Sequence, residues 1–159
     1  MNKYLIAAGS CHHNGIYYLA QAEKILSQHY NFMLCAKSKI YKNCSKFSYT
    51  NRLYYNLAFA VKTRLEPLVF YRELRSIEST LGRIRTYKNS PRTLDLDILM
   101  VSNLEYKSST FRVPHTQAFV RSFFVVCARE ALMHAGWPTP IDLTMAKTRG
   151  GRDYLVACS

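Results

Sequence analysis

Acidic residues are scarce in this sequence: ten against twenty-two lysines and arginines, a formal net charge of +12 over 159 residues. The shortage is uneven. Thirteen basic side chains lie between Lys37 and Arg92, against only Glu66, Glu73 and Glu78. A concentration of that kind implies an anionic partner, either a polyphosphate or a nucleic acid. Long apolar runs are also missing, with none reaching the ~18 residues of a membrane span, and no basic-then-apolar start suggests a signal peptide. The five cysteines (Cys11, Cys35, Cys44, Cys127, Cys158) are odd in number and form no CxxC pair. They read as reduced thiols of a cytoplasmic protein rather than as disulfides or a structural zinc site. The six glycines are scattered, so neither GxxxxGK[ST] nor GxGxxG is present. A nucleoside triphosphate, if bound, is therefore not held by a glycine-rich loop. Repeats, low-complexity tracts and Pro/Gly-rich linkers are absent, and a single domain over residues 1–159 is expected.

What is present reads as alternating strands and helices. Tyr4 to Gly9 is a short apolar strand feeding a Gly-Ser turn, and Ile16 to His29 has the apolar spacing of an amphipathic helix. Phe32 to Tyr41 and Tyr54 to Thr63 read as strands, joined by an exposed polar loop over residues 42–51. Glu66-Pro67 opens a second helix, with proline in its favoured first turn, and Gly82 closes it. A basic loop over 83–90 leads to a fourth strand, a turn at Ser102-Asn103, a loop over Arg112 to His115 and, over Phe119 to Leu132, a last helix or a pair of short ones. The order β-α-β-β-α-β is that of a ferredoxin-like α+β sandwich, here expected as an antiparallel sheet with helices packed on one face.

The most informative stretch is Pro91-Arg-Thr-Leu-Asp-Leu-Asp-Ile-Leu-Met100. Its apolarity suggests a buried strand, in which Asp95 and Asp97 face the same way with Cα atoms ~6–7 Å apart. Two such carboxylates repel each other and resist burial, so a cation is expected between them. Magnesium suits the site, since it takes one or two carboxylates and leaves its other positions to water and phosphate. Arg83 and Arg85 on the basic loop, Arg92 at the strand's start, and Arg112, His115 and Arg121 beyond it supply a basic cage for a polyphosphate. Cys11-His12-His13 offers metal-ligand chemistry, but neighbouring residues point apart and nothing later completes a ligand set.

The motif, with Gly82-Arg-Ile-Arg85 before it and Val113-Pro-His115 and Arg121-Ser-Phe123 after it, resembles the 6-hydroxymethyl-7,8-dihydropterin pyrophosphokinases of folate biosynthesis. Ala7-Ala8-Gly9-Ser10 and Tyr54-Tyr55-Asn56 add to the resemblance, which runs from about residue 3 to 130. It implies transfer of pyrophosphate from ATP to the pterin's hydroxymethyl oxygen, with AMP released. By resemblance, Asp95 and Asp97 hold two Mg2+ ions, and Arg83 and Arg92 join them in catalysis. Arg83, Arg85, Arg92, Ile98, Arg112, His115 and Arg121 contact ATP. Tyr54 and Phe123 stack on the pterin, and Asn43, Cys44, Lys46 and Asn56 line its pocket. The partners implied are ATP and a pterin, without nucleic acid or membrane, for a monomer. Loops near 10–16, 42–53 and 82–91 close over substrates in the family.

The sequence departs from the family pattern at Cys11, at Asn43-Cys44-Ser45, at Asn89-Ser90, at Thr110 and at Thr116. The metal and triphosphate residues are thus better kept than those that read the pterin, and a pyrophosphokinase acting on a different pterin is the alternative. A nucleotidyltransferase would also join Gly-Ser to a DxD, but Ser10 and Asp95 are far apart in sequence. A ferredoxin-like RNA-binding domain suits the charge, yet no Lys/Arg-Gly-Phe string is present.

Overall fold

The computed structural model describes residues 1–44, 53–83, 92–118, 120–140, 143 and 156–158. Lys46, Arg85 and most of the 42–53 and 82–91 segments lie outside the described residues. In chain order the elements are β1 (Asn2–Ser10), α1 (Gly15–Gln28), β2 (Phe32–Lys37), β3 (Tyr41–Cys44), β4 (Leu53–Thr63), α2 (Pro67–Thr80), β5 (Asp95–Val101), β6 (Tyr106–Lys107), β7 (Arg112–Val113), α3 (Ser122–His134) and β8 (Val156–Ala157). The main sheet runs β5-β1-β4-β3-β8, with β2 also paired to β4. Its β1, β2, β3, β4 and β5 ladders are antiparallel, the expected ferredoxin-like order with the second strand divided.

Ser38 explains the division. Its N–H donates to Ala58 O at 2.9 Å, while its hydroxyl accepts from Ala58 N at 3.0 Å and donates to Lys39 O at 2.8 Å. The side chain occupies a ladder position that backbone would otherwise fill, and regular pairing stops until Tyr41. Beyond it, Tyr41 to Cys44 form β3, so that residues 42–44 belong to a strand rather than to the exposed loop expected from their polarity, and Asn43 is buried.

Apolar residues alternate between two cores. Tyr4, Ile6, Ala8, Leu57, Phe59, Val61, Leu96 and Ile98 pack with Leu19, Leu26, Phe70 and Leu74 of α1 and α2. Leu5, Ala7, Ala58 and Leu99 pack with Phe124, Val125, Ala128 and Ala131 of α3. The helices therefore cover both faces rather than one, and the central strands read as unbroken apolar runs because neither side meets water. Close approach at one end of the sheet depends on Gly15. A Cβ there would stand 2.6 Å from the Tyr55 ring and 3.2 Å from Ser10 Oγ.

Candidate active site

β5 begins at Asp95, so the first four residues of the decapeptide precede the strand. Within it Leu96 and Ile98 enter the α1/α2 core, which turns Asp95 and Asp97 toward the α3 face. Register extends that face across the sheet. Asp95 pairs with Gly9, which pairs on its other side with Asn56 of β4, and Asp97 pairs with Ala7 and through it with Ala58. Asp95 and Asn56 stand two strand spacings (~10 Å) apart, and Asn56 Oδ1 leans over Gly9, 3.2 Å from where a Cβ would stand.

β5 is also an edge strand, and α2 covers its edge with an ion pair. Glu78 Oε1 accepts the Leu96 N–H at 2.6 Å, and the Arg75 guanidinium donates to the Leu96 carbonyl. Arg75 and Glu78 themselves pair at 2.9 Å, one turn apart on α2. Two side chains thus take the place of a missing neighbour strand and hold the backbone between the aspartates. Arg83 arrives through the end of α2. Gly82 at φ 79° lets its own N–H reach Ser79 O and the Arg83 N–H reach Glu78 O, both at 3.0 Å, a Schellman closure. That reversal returns Arg83 to the site, where Nη1 bonds Asp95 Oδ1 at 2.6 Å and also contacts Glu78 Oε1.

Arg92 reaches the other oxygen of Asp95, Oδ2. Its backbone is clasped by the end of β1: Cys11 N donates to Arg92 O at 3.2 Å, and Arg92 N donates to Cys11 Sγ at 3.2 Å. Burial alone would raise Asp95, but Arg83, Arg92 and Arg75 outweigh it and hold the carboxyl below its ordinary value. Asp97 moves the other way, pushed up by burial and by the charge of Asp95. Glu78 is pushed up to about 6 by burial, against the pull of Arg75, the Leu96 N–H and Arg83, and is still ionised at neutral pH.

His115 is carried along β5 by its N–H, which donates to Leu99 O at 2.9 Å. Its Nδ1 accepts the Gln117 N–H at 3.1 Å, so the neutral ring carries its proton on Nε2. Burial lowers the pKa of His115, with Asp97 pulling upward and Arg121 pushing down. Arg121 caps α3 and lies 5.8 Å from the Phe123 and Phe124 rings. Asn56 Nδ2 donates to Asn43 Oδ1 at 2.7 Å, and both amides are buried on the α3 face, with half-buried Tyr54 two residues before Asn56.

The structure thus brings Arg83, Arg92, Asp95, Asp97, His115 and Arg121 together and sets Asn43, Tyr54, Asn56 and Phe123 on the same face. Cys44 lies in β3 by its backbone. Ile98 and Arg112 stand apart from this cluster by their side chains. The Ile98 side chain packs into the α1/α2 core, opposite the aspartates, which leaves only its main chain for a ligand. Arg112 stands exposed on β7, and no contact joins it to the aspartates among the described residues. Arg75 and Glu78 are not among the site residues expected from the sequence. Their spacing i, i+3 was visible, but the strand edge they cover was not. His12 and His13 stack at 4.0 Å in the turn before α1. Among the described residues no three metal-ligand side chains converge. A pair of carboxylates such as Asp95 and Asp97 suits magnesium, which leaves its other positions to phosphate and water.

The sequence matches the family described as 7,8-dihydro-6-hydroxymethylpterin-pyrophosphokinase over residues 5–132. The chain belongs to this family. A 2-amino-4-hydroxy-6-hydroxymethyldihydropteridine pyrophosphokinase of Haemophilus influenzae is 34% identical over 121 residues, 76% of each chain. Its counterpart in Bacillus subtilis is 33% identical over 106 residues, covering 67% of this chain and 64% of that one. Bifunctional protein FolKE of Lactococcus lactis subsp. cremoris is 35% identical over 107 residues, 67% of this chain. The match spans only 31% of that bifunctional relative. A solved structure of HPPK-DHPS in complex with substrates superposes with a TM-score of 0.63 at 12% identity, over 81% of this chain and 40% of that one. At that identity the likeness concerns the fold, and the fold of the pyrophosphokinase family is the one described above.

Proposed function

We propose that the protein transfers the pyrophosphoryl group of ATP to the hydroxymethyl oxygen of 6-hydroxymethyl-7,8-dihydropterin and releases AMP, as a step of folate synthesis. The observation that carries this reading is the row of Asp95, Gly9 and Asn56, which puts a pair of carboxylates and a buried amide pair on one face of the sheet, two strands apart. Arg83, Arg92, His115 and Arg121 grip the triphosphate and offset the charge that builds as the β-phosphorus changes partners. Arg85 and Lys46 join them by family resemblance alone. Tyr54 and Phe123 stack on the flat ring. Asn43 and Asn56 bond to each other and keep donors and an acceptor for the ring's edge. Asp95 and Asp97 would hold the two Mg2+ ions that accompany ATP, and the metal would supply Lewis-acid stabilisation of the charge that develops during the displacement.

The reading extends to one catalytic domain over residues 1–159 that works as a cytoplasmic monomer. Free thiols at Cys11, Cys35, Cys127 and Cys158 support a reducing compartment. No helix among the described residues is long and apolar enough to cross a membrane. The test is incubation with ATP, Mg2+ and 6-hydroxymethyl-7,8-dihydropterin, followed by chromatography for AMP. Pterin-dependent AMP is the expected result, and its absence overturns the reading. Asn43-Cys44-Ser45, where the family pattern differs, favours a second reading with another 6-substituted pterin as acceptor. AMP formed only with that pterin would select it.

A further inference from the structure

We infer that Arg75 is a resident counter-ion of the aspartate pair, holding Asp95 and Asp97 poised together and lowering their affinity for a free divalent cation until a nucleotide brings one. This inference rests on the proposed metal site. Arg75 lies within ion-pair distance of both carboxylates, 3.9 Å from Asp95 Oδ1 and 3.7 Å from Asp97 Oδ1. Of the two aspartates, Arg83 and Arg92 pair with Asp95. Its position is set by three further contacts: the Leu96 carbonyl between the two aspartates, Glu78 at 2.9 Å, and the Tyr71 ring 4.8 Å away. A guanidinium anchored in that way cannot swing off as an exposed arginine would. It stays at the edge of the strand, a fixed positive charge beside the two carboxylates.

The consequence is electrostatic. A unit charge about 6 Å from a divalent ion changes its affinity about tenfold even at the dielectric of water. Metal without phosphate therefore binds weakly, whereas metal delivered on a triphosphate gains the contacts of Arg83, Arg92, His115 and Arg121. The arrangement ties metal occupancy to nucleotide occupancy.

The probe is Mn2+ alone, without nucleotide or pterin, followed by electron paramagnetic resonance of the free ion. Arg75→Gln removes the charge and keeps a donor for the Leu96 carbonyl. Arg75→Met removes both but keeps the stem over Tyr71. Arg72→Gln makes the same charge change at an exposed position on α2. The expected result is Mn2+ binding at least ~10-fold tighter in the folded Arg75 variants, little changed in Arg72→Gln, and abolished by adding Asp97→Asn. Equal or weaker binding in Arg75→Gln overturns the inference and leaves the metal site standing. If circular dichroism finds neither Arg75 variant folded, the residue is structural and the inference falls. If no protein shows an Asp97-dependent signal, the metal reading beneath it fails instead.

Discussion

Asp95 and Asp97 stand two residues apart on one strand, yet their neighbours shift them in opposite directions. The signs make a paired prediction. Asp95 is held below the ordinary range, so its contribution to stability is present above that range and lost as pH falls through its lowered value. Asp97 is raised, so its contribution is present below the ordinary range and lost as pH rises through its raised value. Near neutral pH, Asp95→Asn should therefore destabilise the free protein. It breaks a largely buried pairing with Arg83 and Arg92, at a cost of about 2–3 kcal/mol. Asp97→Asn should leave stability unchanged or raise it. Both should lower AMP formation about 100-fold or more, since each removes a carboxylate proposed to hold the metal that offsets charge on the reacting phosphates. Urea denaturation beside the AMP assay checks this, and equal destabilisation by the two variants would count against it. The need for positive charge near the pair could be read from two aspartates in an apolar strand. That one such charge is Arg75 could not, because Arg75 is twenty residues upstream and meets the pair only through tertiary packing.

At the scale of elements, Gly82 links a helix end to Arg83, the side chain proposed to act on the triphosphate. Its φ of 79° is open to glycine at no steric cost, and the turn it permits directs Arg83 back over Glu78. Gly82→Val should cost about 1–2 kcal/mol through a strained left-handed backbone. It should also depress kcat more than it raises the KM for ATP, because displacing Arg83 loses contacts that matter most in the transition state. Steady-state kinetics on the folded variant test this. A lowered melting temperature with unchanged kcat would show that Arg83 finds its place without the Schellman turn. The end of α2 was legible because glycine after an amphipathic run is a local signal. The division of the second strand was not, since Ser38 stops it only by bonding to Ala58 of a distant strand. The face taken by α3 was equally hidden, because buried strands covered on both sides lack the alternation that would assign each helix to a side.

For the whole molecule, the excess of basic residues that the sequence concentrates between Lys37 and Arg92 has two readings, a solvated surface or a field that attracts a polyanion. The structure sorts part of it: Arg75, Arg83 and Arg92 turn toward Asp95, whereas Arg72 is exposed on α2. Paired arginines spend their charge locally, so long-range attraction comes from the exposed remainder. Charges in water act over about 8 Å at physiological ionic strength and about 3 Å at 1 M. Raising potassium chloride from 50 to 500 mM should therefore raise the KM for ATP severalfold, through slower encounter and weaker phosphate contacts. The KM for the uncharged pterin should barely move, and kcat should hold, because the buried ion pairs around Asp95 are shielded from salt. Steady-state kinetics across the salt series distinguishes the two readings. A flat KM for ATP would assign the exposed charge to solubility, and a fall in kcat would mean that the pairs at β5 themselves open to solvent. Pterin and ATP respond differently only if the net charge of +12 serves nucleotide capture, so the ratio of their salt slopes measures how much of that charge is functional.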